Sequence, residues 1–453
     1  MGGRGIKEKD EGEVENKFNS LFNIKKYNTT VKGEILAGFT SFFAIVYIIA
    51  VNASILSDAG LPLEGAIIAT VLSSFVGCIL VGVISNAPLI LVPGMGVNAL
   101  FSYTIVGSMG LSWQQALAAV FVSGVVFSII AFTRFSKTLI ESIPTSLKEA
   151  ITVGIGVLIT FIGLQKSGIV IGSTTTFVAL GHFNNPLVYV TFINLIITLI
   201  LFIKNVPGNF LISMIVGTII SYFFGLIDMA KLTFSNFSLG AYKEVFFKMD
   251  FSSATSITFW IAVFSLTLVL VFENLGLLHA HINVMLKEEN KFKTSFKACS
   301  LSAITCGFFG TSPTVATIET AAGITAGGKT GLTSIFTGIL FLLSLFLLPI
   351  IKIIPNSAIS PILIVIGGLM IKNILSINFN DFSEGFPAFL IIVMIPLTFS
   401  IVDGMAFGFI CYPIVKLAGK KSKEISYAMY IISLMFLLNF ILHAVSRSYN
   451  CLF

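Results

Sequence analysis

Fifteen long apolar runs joined by short polar connections dominate this 453-residue chain. A helix that spans a bilayer needs roughly 20 mainly apolar residues. On that basis spans one to seven fall at 34–54, 65–84, 89–106, 115–133, 147–165, 186–203 and 208–226. A more polar stretch, 228–255, follows, and spans eight to fourteen fall at 256–278, 294–309, 312–326, 331–350, 357–372, 386–402 and 403–417. One further apolar segment lies at 427–446. All are read as helices, because open backbone does not survive in hydrocarbon and barrel strands would alternate in polarity. The expected fold is therefore an all-α polytopic membrane protein with about fourteen transmembrane helices.

Composition agrees. The chain is 56% hydrophobic and 11% charged, with a mean hydropathy of +0.98. Soluble proteins run at about 45–50% apolar and about 25% charged. A cytosolic enzyme, a secreted domain and a nucleic-acid binder are excluded, and lipid is the solvent for most of the chain. The net charge of +6 comes from Lys and Arg scattered among connections, not gathered on one stripe. Five cysteines, Cys78, Cys299, Cys306, Cys411 and Cys451, lie far apart and without metal-ligand spacing, so they read as buried thiols. Residues 1–33 form a polar tail with no signal-peptide pattern ahead of span one. With that tail in the cytoplasm and a crossing at every span, 21 of the 27 Lys and Arg residues fall on the cytoplasmic side. This is the orientation the positive-inside rule expects, in the cell membrane.

Seven spans before residue 228 and seven after it suggest an inverted 7+7 repeat, because an odd number flips the second copy. Ile143-Pro144-Thr145-Ser146 at the start of span five resembles Ile354-Pro355-Asn356-Ser357 at the start of span twelve. Both run on to an Ile-Gly pair, Ile155-Gly156 and Ile366-Gly367. Inverted repeats are a transporter device in which two half-structures rock around a mid-membrane site.

Two acids stand deep inside apolar spans, Glu273 in span eight and Glu319 in span ten; Asp403 lies at a turn. A charge at mid-bilayer costs roughly 2.5–3.5 kcal/mol on insertion scales, so such residues mark a pathway more often than a structural contact. Two spans are also interrupted. Span three contains Val92-Pro93-Gly94-Met95-Gly96-Val97-Asn98, and span ten opens with Gly310-Thr311-Ser312-Pro313-Thr314. Proline and clustered glycine break a helix, and the half-helix after the break turns free N–H groups toward a cavity. Asn52 and Glu273 are separated by 221 positions, as are Asn98 and Glu319, which would set four polar groups around one pseudo-twofold axis. Carboxylate and amide groups suit a neutral planar heterocycle, since a carboxylate accepts two adjacent N–H groups and Asn both donates and accepts. Phe43, Tyr47, Phe101 and Phe272 are the aromatic residues of these spans available for stacking, although packing is the commoner use of any single Phe here.

The run Asn86-Ala-Pro-Leu-Ile-Leu-Val-Pro-Gly-Met-Gly-Val-Asn-Ala-Leu-Phe, the stretch Gly310-Thr-Ser-Pro-Thr-Val-Ala-Thr-Ile-Glu and the late Pro396-Leu-Thr-Phe-Ser-Ile-Val-Asp-Gly resemble one known group. They look like the AzgA-type hypoxanthine/guanine permeases of the nucleobase–cation symporter-2 family, over roughly 30–450. The resemblance implies a core domain of spans one to four (34–133) and eight to eleven (256–350). It implies a gate domain of spans five to seven (147–226) and twelve to fourteen (357–417). Segment 427–446 is then an extra C-terminal helix. The resemblance also implies proton-coupled uptake of a purine base, often by a homodimer, with no cofactor beyond the coupling H+. Asn98, Glu273 and Glu319 fall on the family's substrate-binding positions, with Asn52, Gly96, Val97, Phe101 and Thr317 in support. The chain departs from the branch at span eight, where Phe272-Glu273-Asn274-Leu275-Gly276-Leu277 stands in place of Phe-Asp-Thr-Ile-Gly-Thr. It departs again where Thr-Ser-Pro-Thr-Val-Ala replaces Thr-Ser-Thr-Thr-Thr-Ser. Desolvation works against a charged carboxyl, which makes both glutamates candidates for a proton that travels with substrate. The expected division has Glu273 linked to the proton, Glu319 accepting from the base edge and Asn98 orienting the base. The expected function is purine import, of hypoxanthine or guanine with adenine as a further candidate, by an elevator-like movement. The rival readings are the same fold carrying uracil, xanthine or an organic anion, a channel, and an intramembrane enzyme, for which no catalytic motif is found.

Overall fold

Helix starts follow capping residues in the sequence. Thr30 accepts from the Gly33 N–H at 3.0 Å and opens Val31–Ile45. Ser112 and Gln115 form a reciprocal capping box at the start of Trp113–Phe132. Asn185, Ser256, Thr330 and Ser400 cap Pro186–Ile203, Ile257–Leu278, Gly331–Leu343 and Ile401–Ala418 in the same manner. The structure, a computed structural model, describes residues 22–133, 143–227 and 239–450. Residues 1–21 of the tail and Cys451 lie outside them. Cys78, Cys299 and Cys306 are buried, whereas Cys411 is half-buried.

Among the described residues nine helices are long and apolar enough to cross a membrane, and three further apolar helices are shorter. The protein is a mostly helical, multi-pass membrane protein. An ordered element stands at each of the fourteen expected positions, and Tyr427–Asn450 occupies the C-terminal one. The all-α expectation needs correction at two of them. Span three is a strand, β1 (Leu91–Pro93), followed by a short helix, Met95–Ala99, and a π-helical stretch, Leu100–Ser108. Span ten is a strand, β4 (Thr314–Ala316), followed by Thr320–Thr325. Between them in sequence, β2 (Val170–Ser173) and β3 (Phe177–Leu180) form a largely exposed hairpin after span five.

The helices pack in two groups. In one, span two (Leu63–Ser85) lies on spans nine (Phe292–Phe309) and eleven (Gly331–Leu343), and span four lies on spans eight and nine. Span one lies on span eleven and on the short helix of span ten. Small residues permit the closest approaches, as membrane helices lacking a hydrophobic drive require. A side chain added at Gly124 of span four would meet the Ile304 backbone nitrogen of span nine at 2.7 Å. In the other group, span five (Thr145–Lys166) lies on spans twelve (Asn356–Met370) and thirteen (Phe382–Thr398). Spans six and seven (Asn209–Phe223) lie on span twelve, and thirteen lies on fourteen. Where span five crosses span twelve, a Cβ at Gly156 would stand 2.8 Å from the Gly367 carbonyl oxygen.

The groups meet where the Met95–Ala99 helix touches span five. At the far end of span one, Lys166 of span five pairs with Asp58 at 2.7 Å and donates to Ser54 Oγ at 2.9 Å. Tyr103 Oη donates to the same Asp58 carboxylate at 2.6 Å.

Candidate functional site

The two breaks face each other. β1 and β4 pair antiparallel, with Leu91 opposite Ala316, Val92 opposite Val315 and Pro93 opposite Thr314. Backbone released from helical bonding at membrane depth must find other partners, and here each break supplies them to the other. The Gly94 N–H donates to the Pro313 carbonyl at 3.3 Å, and the Ile90 N–H to Thr320 Oγ1 at 3.1 Å. Asn274 in span eight, beside Glu273, fixes this pair of strands. Its Oδ1 accepts from the Ala316 N–H at 3.1 Å while its Nδ2 donates to the Leu270 carbonyl at 2.8 Å.

Behind the strands lies a buried polar chain. Asn52 Nδ2 donates to Thr70 Oγ1 at 2.7 Å and to Thr311 Oγ1 at 3.1 Å. Ser312 Oγ lies 2.5 Å from Asn98 Oδ1 and 3.3 Å from Asn52 Oδ1, so it links the two amides. Asn98 is fully buried in the helix that follows the first break, and its Nδ2 has no hydrogen-bond partner among the described residues. Buried polar groups are nearly always satisfied, so an orphan of this kind calls for an explanation.

The two carboxylates are held differently. Glu319 immediately precedes the short helix of span ten, and Tyr47 Oη donates to its Oε1 at 2.5 Å. Tyr47 is itself buried and sits where span one loosens between Val31–Ile45 and Ile48–Asp58. Glu273 lies against the first break: a Cβ at Gly94 would be 3.4 Å from its Oε1, and one at Gly96 3.8 Å from its Oε2. Glu273 Oε2 is buried and has no hydrogen-bond partner among the described residues. It lines a cavity of about 50 Å³, with Phe272 and Gly96 on its own side and Lys148, Ile155 and Met370 opposite. A water molecule fits there, but small-molecule pockets run to roughly 300–1,000 Å³, so a larger guest requires the two helix groups to part.

The four polar groups are held in three ways. Asn52 and Asn98 are joined through Ser312, Glu319 goes to Tyr47, and Glu273 faces the cavity. Tyr47 serves as a hydrogen-bond donor where stacking was expected. Phe43 is 45% exposed and packs on Phe39 and Phe42, on the outside of the bundle. Phe101 and Val97 are fully buried, Thr317 is buried, and of the four aromatic candidates Phe272 reaches the cavity. Sequence reasoning missed Asn274, Ser312, Thr70 and Lys148. Asn274 carried a signal, as a second polar residue beside an acid in an apolar run.

A bundle of membrane helices with two paired breaks and polar groups at mid-chain depth defines a membrane permease rather than an enzyme. The Xan_ur_permease model, described as Permease family, matches residues 32–441. The chain belongs to this permease family, in the AzgA-type branch that its motifs resemble. "Nucleobase transporter PlAzg2" of Paenibacillus larvae is 50% identical over 84% of this chain and 76% of its own length. "Guanine/hypoxanthine permease PbuO" of Bacillus subtilis is 38% identical over 92% of this chain and 98% of its own. Among solved structures, the transmembrane domain of the cyanobacterial bicarbonate transporter BicA shares the fold. It does so with a TM-score of 0.63 at 14% identity, over 82% of this chain and 96% of that one.

Proposed function

We propose that this permease imports purine nucleobases, hypoxanthine and guanine first among them, together with protons. The observation that carries the reading is a buried carboxylate oxygen, Glu273 Oε2, that lines a cavity against the first break and has no hydrogen-bond partner among the described residues. Asn98 Nδ2, in the helix after that break, is a buried donor likewise without a partner among them. A purine edge offers the N–H groups and ring nitrogens that would satisfy them. The names of the relatives point to the same ligand class. Glu273 contacts the base and carries the coupled proton; Glu319, oriented by Tyr47, accepts a second N–H; Asn98 sets the orientation.

The movement we propose is an elevator: spans one to four and eight to eleven form a core that slides against a gate of spans five to seven and twelve to fourteen. The two packing groups support this division. An inverted 7+7 repeat is supported by two registers. Pro93 stands opposite Thr314, 221 positions on, the offset that also separates Asn52 from Glu273 and Asn98 from Glu319. Gly156 touches Gly367, the equivalent glycine of the matched motifs in spans five and twelve. The distribution of Lys and Arg supports a cytoplasmic N-terminus for a cell-membrane protein.

The test is uptake of labelled hypoxanthine and guanine into proteoliposomes. Glu319→Gln should abolish uptake of both bases, and unchanged uptake would remove Glu319 from the site. Glu273→Gln should lose its response to an imposed pH gradient. A retained response would transfer the proton to another group.

A further inference from the structure

Tyr47 is touched from both helix groups, and only one of those contacts has been given a role. Its hydroxyl donates to Glu319 of span ten, while its ring meets Phe210 of span seven edge-to-face, with centroids 5.1 Å apart and planes at 70°. Phe210 stands in the first turn of Asn209–Phe223, so it belongs to the group opposite Tyr47 and Glu319. Both rings are buried. Behind Phe210, the Phe202 ring of span six lies nearly parallel to it at 6.0 Å, which backs the wall that Tyr47 leans on. The start of span seven comes close to span one at Gly208, whose backbone is left-handed at φ 69°. A Cβ at Gly208 would stand 3.4 Å from the Phe43 carbonyl oxygen. The contact falls where span one loosens, at Val46 and Tyr47 between its two helical pieces.

A tyrosine hydroxyl goes where the side-chain torsions carry the ring, and packing against the ring fixes those torsions. An edge-to-face pair does this with more than the area it buries. We infer that Phe210 is a positioning residue: it holds the Tyr47 ring in the setting from which the hydroxyl reaches Glu319, and acts on the base through that link. This rests on the purine reading above, in which Glu319 accepts from the base. It deepens that reading by making base affinity depend on a residue of the opposite helix group. A phenylalanine that only filled space between spans one and seven would change stability and leave the affinity of the folded protein alone.

The experiment is a double-mutant cycle on equilibrium hypoxanthine binding to purified protein, with wild type, Phe210→Ala, Tyr47→Phe and the double variant. Thermal unfolding of each is recorded alongside. Phe210→Ala should weaken binding by roughly three- to tenfold, the scale of one aromatic pair. In the Tyr47→Phe background the same change should alter affinity by less than about 1.5-fold, because the link it acts through is already gone. Equal weakening in both backgrounds would overturn the assignment. So would a Phe210→Ala protein that melts earlier yet binds hypoxanthine as wild type does, the result expected of packing alone. If Phe210→Ala cannot be purified, Phe210→Leu, which fills the space without a ring, takes its place in the cycle and is judged by the same two criteria. The purine reading fails separately. A wild type that binds neither hypoxanthine nor guanine would refute it, and Glu319→Gln with wild-type affinity would remove Glu319 from the site; in either case the assignment of Phe210 falls with it.

Discussion

Tyr47 and Glu319 link span one to the second break, a phenol donating to a half-buried carboxylate at 2.5 Å. Hydrogen bonds to charged groups are worth roughly 1.5–3 kcal/mol, and leaving the acceptor unsatisfied costs more than exchanging both partners. Tyr47→Phe should therefore weaken hypoxanthine affinity by roughly tenfold, with the protein still inserted. Isothermal binding to purified protein reads this directly. An unchanged dissociation constant would show that Glu319 does not depend on Tyr47 for its orientation. The lone acids were visible in the sequence because an unpaired carboxylate in an apolar run has few other uses. Their surroundings were not. Tyr47 reads like any aromatic residue of a membrane helix, and what brings it to Glu319 is packing between elements far apart in sequence.

At the scale of elements, the proline and glycine clusters announced both breaks, and the structure places an interruption at each. The strands that fill them were not legible. A three-residue ladder between Leu91–Pro93 and Thr314–Ala316 has no local pattern, because each strand's partner lies more than two hundred positions away. The same shortness makes the ladder sensitive to volume. A methyl group at Gly94 would meet Val315 Cγ2 at 2.5 Å and would stand 3.4 Å from Glu273 Oε1. Overpacking of this kind costs roughly 1–3 kcal/mol. Gly94→Ala should reduce hypoxanthine uptake at least fivefold, about the low end of that range, while membrane insertion judged by surface labelling stays normal. Wild-type uptake by this variant would show that the ladder yields without disturbing Glu273. The β2–β3 hairpin, by contrast, lies in the connection between spans five and six, where no strand was expected, and its Val-Ile-Gly-Ser and Phe-Val-Ala-Leu strands are short.

For the whole molecule, the positions of the apolar helices were readable because hydrocarbon imposes length and polarity on every crossing. How the two groups of helices hold one another was not readable, since it depends on pairs such as Lys166 and Asp58. This pair, with Tyr103 and Ser54, ties the groups together at the end of the molecule away from the N-terminal segment. Partly exposed ion pairs contribute roughly 0.2–1 kcal/mol. Lys166→Asp should therefore change the initial uptake rate by about two- to fivefold, and the double change Lys166→Asp with Asp58→Lys should restore it. A double variant no better than the single one would show that the pair does not bear on the movement.

The crossed strands also have a bearing on how the protein is made. While a ribosome is still short of residue 314, Leu91–Pro93 has already entered the bilayer with nothing to pair against. Unsatisfied peptide groups in hydrocarbon cost several kcal/mol each. The nascent first half must wait in a provisional arrangement until the second half arrives to complete it. Chains cut short by a premature stop anywhere before that point would present quality-control proteases with an exposed, unfinished seam.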